Sequence, residues 1–181
     1  MGSSIYKYKE QVIMVLKDAA TGKVLLRREL DPNIVTNVGD TYYAQRGAAS
    51  LATFTFNKGM CVAANSGRVS SKAATFQFFK MGDGTRTGRQ SFDAGYPKAN
   101  DTDTDNTGRT VDAVTYKRTY TTAQANYTIK ALGVCRVNAT SAAGANSRVL
   151  LSYKTLSAAA WVTKTSSQTL VLYINHLFNG V

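Results

Sequence analysis

The sequence predicts an all-β protein, an antiparallel, jelly-roll-like β-sandwich of about eight or nine strands with one short helix. Three observations lead there. β-Branched and aromatic residues alternate with period two in "TFTF", "TFQFF" and "TLVLYINHL". Turn-forming Gly, Asn, Asp, Ser and Thr separate these runs, with 14 Gly against only 2 Pro. A single stretch, "NVGDTYYAQRG", departs from alternation in a way that suits a helix. At 181 residues the chain reads as one domain, 1–181, long enough to bury a core without disulfides or metal.

Taken in order, residues 1–32 predict an N-terminal hairpin. "EQVIMVLKD" is apolar on both faces, as a buried strand is, "AATGK" supplies the turn, and "VLLRREL" returns. Asn37 or Asp40 is expected to cap a helix over Thr41–Arg46 that Gly47 ends, with Tyr42 and Tyr43 seating it on the sheet. "LATFTFN" and "ATFQFFKM" follow as half-buried strands. Residues 82–112 form a long polar, Gly-rich loop region with little periodicity. The final third returns to strands: "AVTYKRTYT", "ANYTIKALGVCRV", "RVLLSYKTL", "AAWVTKT" and "TLVLYINHLF", with "NATSAAGANS" as a hairpin connection. In the last strand Leu170, Leu172, Ile174 and His176 share one face and Val171, Tyr173 and Asn175 the other.

The net charge is +11, and its distribution is uneven. All 11 carboxylates lie at or before Asp112, whereas the strands beyond it carry Lys117, Arg118, Lys130, Arg136, Arg148, Lys154 and Lys164. Such a chain suits an acidic partner surface. Its cations are spread singly along strands rather than gathered in a stripe, which argues against direct nucleic-acid binding. No stretch approaches the roughly 20 apolar residues that span a bilayer, and "MGSSIYKYKEQ" does not read as a signal peptide, so no membrane partner is expected. Cys61 and Cys135 sit in apolar flanks without a CxxC pair and read as buried free thiols.

Catalytic chemistry has little to draw on. The one histidine, His176, lies on an apolar strand face and reads as a packing residue. No nucleophile elbow, HExxH or CxxC occurs, and "MGDGTRTGRQ" lacks the lysine and hydroxyl residue of a phosphate-binding P-loop. The expectation is a protein that is not an enzyme and needs no cofactor. One loop resembles a metal site: Asp101, Asp103, Asp105 and Asp112 fall at relative positions 1, 3, 5 and 12, as in an EF-hand. Against calcium stand Asn106 where a glycine is required, the short Asp112 at position 12, and flanks that are not helical. Solvated Asx-turns with near-normal pKa values are the simpler expectation, with calcium the alternative. The cations Arg86, Arg89, Lys117, Arg118, Lys130 and Arg136 are candidates for gripping an acidic neighbour.

The succession "NIVTNVGDTYYAQRGA", "FKMGDGT", "GYPKANDTDTDNTGRTVD" and "VTKTSSQTLVLYINHLFNGV" resembles a family of small virion structural proteins of tailed bacteriophages, of the cement or decoration kind. The resemblance covers most of the chain from Asn33 onward, and its motifs are structural rather than catalytic. It implies a capsid cement protein that assembles in the host cytoplasm into the virion. Its partners would be copies of itself, as a homo-oligomer such as a trimer, and the major capsid protein. A tail or fibre-adaptor subunit contacting tail proteins is the neighbouring expectation. A carbohydrate-binding β-sandwich module using exposed Tyr and Trp161 is the alternative of another class. In the virion setting the aspartate loop and the carboxylate-free last third are expected to face each other across a subunit contact.

Overall fold

A computed structural model describes residues 9–30, 32–47, 58–65, 88–106, 113–136 and 150–177. The expected strands "LATFTFN" and "ATFQFFKM", and the connection "NATSAAGANS", lie outside these residues.

The hairpin comes first, as β1 (Lys9–Asp18) and β2 (Val24–Leu30). Its turn is closed by Asp18, whose carboxylate accepts from the backbone N–H and hydroxyl of Thr21, and by Gly22 at φ +70°. β3 (Ile34–Val35) leads into α1 (Asn37–Gly47). β4 (Lys58–Ala63), β5 (Arg89–Ser91), β6 (Lys98–Ala99), β7 (Ala113–Tyr120), β8 (Thr128–Ile129) and β9 (Ala131–Arg136) follow. β10 (Leu150–Thr155), a 3-10 turn at Ala158–Ala160, β11 (Val162–Thr163) and β12 (Gln168–Leu177) complete the order.

The protein is all-β and sandwich-like, as the alternation predicts, but the described residues alone hold twelve strands, where eight or nine are expected for the whole chain. β3, β5 and β6, of two or three residues each, are too short to carry a periodic signal, and the expected strand "ANYTIKALGVCRV" divides into β8 and β9. The six-residue β4 is a core strand that the sequence reading does not predict, because "KGMCVA" shows no alternation. One five-stranded sheet has the order β2-β1-β12-β7-β6, a second β3-β10-β9-β4-β5, and β11 pairs with β8 in a small third ladder. All pairings are antiparallel. β1 meets β12 and β3 meets β10, so each five-stranded sheet joins an early strand to a late one, the nesting expected of a jelly-roll-like chain.

The core lies between the sheets. Val12, Met14 and Leu16 of β1 and Leu170, Leu172 and Ile174 of β12 meet Met60 and Val62 of β4 and Leu132 and Val134 of β9. Leu170, Leu172 and Ile174 are fully buried, each worth roughly 2 kcal/mol over exposure. The opposite face of β1 and β12 is apolar as well, with Ile13, Val15, Val171 and Tyr173 forming a second buried cluster.

The helix is longer than Thr41–Arg46 and starts from a different cap. The hydroxyl of Thr36, rather than Asn37 or Asp40, accepts the backbone N–H of Gly39 at 3.0 Å. The same hydroxyl lies 2.5 Å from the Leu150 carbonyl, tying the helix start to β10. Gly39 lets that approach happen, because a Cβ there would lie 2.1 Å from the Leu151 carbonyl oxygen. Tyr42 enters the core and Tyr43 packs against it, as the sequence suggests.

The segment after Gly88 is not a featureless loop. β5 completes the edge of one sheet, Phe92 packs against Tyr116, and β6 completes the edge of the other. The chain thus crosses from sheet to sheet before running over the outer face of β7, β12 and β1.

Candidate functional site

Asp101, Asp103 and Asp105 of the EF-hand-like run are brought to that outer face, and each is aimed at a different group. Asp101 is 2% exposed. It accepts from the Tyr96 hydroxyl at 3.0 Å and the Asn106 amide at 3.1 Å, and Lys98 approaches it at 3.6 Å. Asp103 accepts from Lys117 Nζ at 2.6 Å and the Tyr173 hydroxyl at 2.9 Å. Asp105 pairs with Lys17. Asn106 is buried and joins an amide network with Asn175 and Thr115, while Asn175 also donates to Gln11.

Side chain to backbone bonds, Asp103 N–H to Asp101 and Asp105 N–H to Asp103, make the Asx-turns that the sequence suggests. They are not the solvated turns expected, since the sheet covers Asp101. Nor is the Asp103 pKa ordinary. Burial pushes the Asp103 carboxyl upward, but hydrogen bonds from Lys117, the Asp105 N–H and Tyr173 outweigh it and hold Asp103 below the usual carboxylate range. Burial and the bond to Asp103 raise the Tyr173 hydroxyl far above its ordinary value.

The calcium alternative places four carboxylates around one point. Asp101, Asp103 and Asp105 instead diverge toward Lys98, Lys117 and Lys17, and Asp112 lies outside the described residues. Among the described residues no three His, Cys, Asp or Glu side chains cluster as a metal site.

The candidate cations divide similarly. Lys117 is held by Asp103. Arg118 reaches Asp93 at 3.5 Å and donates to the Gln124 side-chain Oε1 at 2.8 Å. Lys130 lies 4.2 Å over the Trp161 ring, covering one side of the residue that a sugar-stacking reading would use. Arg89 is nearly buried in β5, the side chain of Arg136 is not described, and Arg86 lies outside the described residues. Within one chain, then, carboxylates of the polar segment pair with cations of β7 through Asp103–Lys117 and Asp93–Arg118.

Two features escaped the sequence reading. His176 is more than a packing residue: its Nε2 lies 2.8 Å from Glu10 Oε1 and 3.3 Å from the Tyr43 hydroxyl, with Tyr116 edge-on. Glu10 stands directly across the strand pair from His176, a register no single-strand pattern reveals. The approach is off the ideal hydrogen-bond direction, so neither Glu10 oxygen has a well-directed donor among the described residues. Lys164 is 1% exposed, bonded to Asn126 Oδ1 at 2.6 Å and the Thr165 carbonyl at 3.2 Å. Burial pulls its pKa down to about 8. Cys61 and Cys135 are buried free thiols as expected, and burial pushes the Cys61 thiol up.

Compared with known proteins, the chain matches no family model, no curated protein and no solved structure.

Proposed function

We propose that this chain is a non-enzymatic structural protein of a bacteriophage virion, a cement or decoration subunit that assembles with copies of itself on the major capsid protein. The motif resemblance from Asn33 onward supplies the lineage. The observation that carries the role is the use made of the aspartate loop. Asp93, Asp101, Asp103 and Asp105 are bonded to side chains of β7, β12, β1 and the loop itself, which fixes about a dozen residues of polar chain as a firm outer surface. A subunit whose work is to present a fixed surface to neighbours benefits from such fastening, because little ordering entropy remains to be lost on assembly. Symmetry then multiplies each modest contact around the shell.

The test is to delete the gene from the phage that encodes it and to measure shell survival under heat and low salt. Shells that lack the protein should burst at lower temperature and recover when purified protein is added back. Shells of unchanged strength, with the protein labelled only at the tail, would replace cement with a tail or fibre-adaptor role.

A further inference from the structure

Glu10 of β1 stands opposite His176 of β12, next to the last rung of that ladder, and the two residues are only 3% and 5% exposed. This carboxylate differs from those of Asp103 and Asp105, which lysines neutralise. Among the described residues no lysine or arginine pairs with Glu10, and neither of its oxygens receives a well-directed hydrogen bond. Burying a carboxylate is costly unless it is paired and hydrogen-bonded, and orphaned buried oxygens point to a group that completes them. Facing Glu10 Oε1 at 2.8 Å is His176 Nε2, and the same nitrogen has a second oxygen nearby, the Tyr43 hydroxyl of α1 at 3.3 Å. A proton on Nε2 is directed at one oxygen only, whereas a cation on its lone pair is shared by both. Bonds of about 2.0–2.2 Å from a zinc ion to an imidazole nitrogen and a carboxylate oxygen set those two atoms about 3 Å apart. The 2.8 Å separation therefore fits two neighbours on one ion as well as it fits a hydrogen bond. Direction separates the two readings, because the contact lacks hydrogen-bond alignment.

We propose that Glu10 and His176 are the protein ligands of a zinc-class divalent ion, with the Tyr43 hydroxyl beside them and water in the remaining positions. An imidazole nitrogen with a carboxylate oxygen is a donor set that zinc takes, while calcium and magnesium favour oxygen alone. Tyr43 serves as a neutral oxygen rather than a phenolate, because burial and its bond to Tyr116 hold the hydroxyl proton firmly. Three His, Cys, Asp or Glu side chains do not meet among the described residues, so water completes the coordination and the affinity is modest beside that of a closed structural site. Tyr43 packs on the His176 ring and is itself only partly buried, which places the cluster within one side chain of solvent. The ion fastens β1, β12 and α1 at one point, near the end of the β1–β12 ladder, and stabilises the fold because the unfolded chain does not hold its ligands together. The inference goes beyond the virion reading and does not depend on it.

His176 is the single histidine of the chain, so its imidazole nitrogen resonances report on this site alone. The experiment titrates zinc chloride into the metal-stripped full chain, labelled with nitrogen-15, at pH 7. The Nε2 resonance is expected to shift and to saturate at one ion per chain, and magnesium chloride to leave it unmoved. Zinc at about 100 times its Kd should raise Tm by about 5–10 °C. Glu10→Gln keeps the shape and removes the buried charge, so the stripped variant should fold with an unchanged circular dichroism spectrum and bind zinc at least about tenfold more weakly. Imidazole resonances that ignore zinc up to millimolar concentration would overturn the proposal and leave a bare carboxylate–imidazole contact. A zinc-induced rise in Tm that persists undiminished in Glu10→Gln and His176→Gln would place the metal elsewhere, at the thiols or on surface carboxylates, and would overturn it too. Where His176→Gln fails to fold, the parent's imidazole signal and Glu10→Gln decide. Zinc binding here by a protein whose loss leaves shells intact would remove the virion reading and keep this one.

Discussion

At Asp103 one carboxylate joins the loop to two strands, through Lys117 of β7 and Tyr173 of β12, while its other oxygen accepts the Asp105 N–H. Hydrogen bonds to a charged group contribute about 1.5–3 kcal/mol when sheltered, and partial exposure here reduces that. Asp103→Asn should therefore cost about 1–2 kcal/mol in urea unfolding at pH 7, since the amide keeps the shape but leaves the Lys117 ammonium without its counter-charge. The pH dependence has a definite sign. The folded pKa is held below the ordinary carboxyl value of 3.8, so the stabilisation is complete above that value and fades as pH falls through the folded pKa. Comparing urea midpoints at pH 7 and pH 3 should show a smaller acid loss in Asp103→Asn than in the parent. An equal loss in both would mean that other carboxylates carry the acid sensitivity. The Asx-turns at this loop were legible because they are made within three residues. Lys17, Lys117, Tyr173 and Asn175 were not legible as partners, because three strands distant in sequence bring them there.

Elements with long alternation were the readable ones. β1, β7 and β12 run eight to ten residues each, and the two faces of β12 divide as its pattern implies. The five short strands exist because neighbouring backbone is in reach, which depends on the assembled sheets rather than on local propensity. α1 shows both situations. Its tyrosines announced a seated helix, but its cap was misread, since Thr36 is chosen by a hydroxyl that also reaches the β10 carbonyls. The docking of α1 on β10 turns on Gly39, where an added Cβ would meet the Leu151 oxygen at 2.1 Å and Val35 Cγ1 at 2.9 Å. Backbone cannot step aside as a flexible side chain can, so Gly39→Ala must push the helix off the sheet. A loss of about 2–4 kcal/mol is expected in thermal or urea unfolding, at the upper end for overpacking. Gly22→Ala tests a separate cost: with nothing within 4 Å of its Cβ, it should lose only the smaller penalty of a positive φ.

Over the whole molecule, two electrostatic effects oppose each other. Twenty-two lysines and arginines face 11 carboxylates, so the chain carries a surplus of 11 positive charges whose mutual repulsion disfavours the compact state. Against this stand contact pairs such as Lys117–Asp103 at 2.6 Å, whose side chains are only about a fifth exposed. Salt discriminates between them by distance. The screening length falls from about 30 Å at 0.01 M to about 10 Å at 0.1 M, which removes repulsion between charges spread over the surface long before it reaches a sheltered contact pair. The dispersed repulsion should thus be lost first. Raising sodium chloride from about 10 mM to about 300 mM is expected to raise Tm by a few degrees, corresponding to about 1 kcal/mol. In Asp103→Asn, with one more net positive charge and one pair fewer, the rise should be larger. A Tm that falls with salt would mean that the loop's ion pairs, not the cationic surplus, dominate the balance. The same surplus gives the protein its long-range attraction for an acidic surface, so a partner that neutralises it relieves the repulsion while it binds.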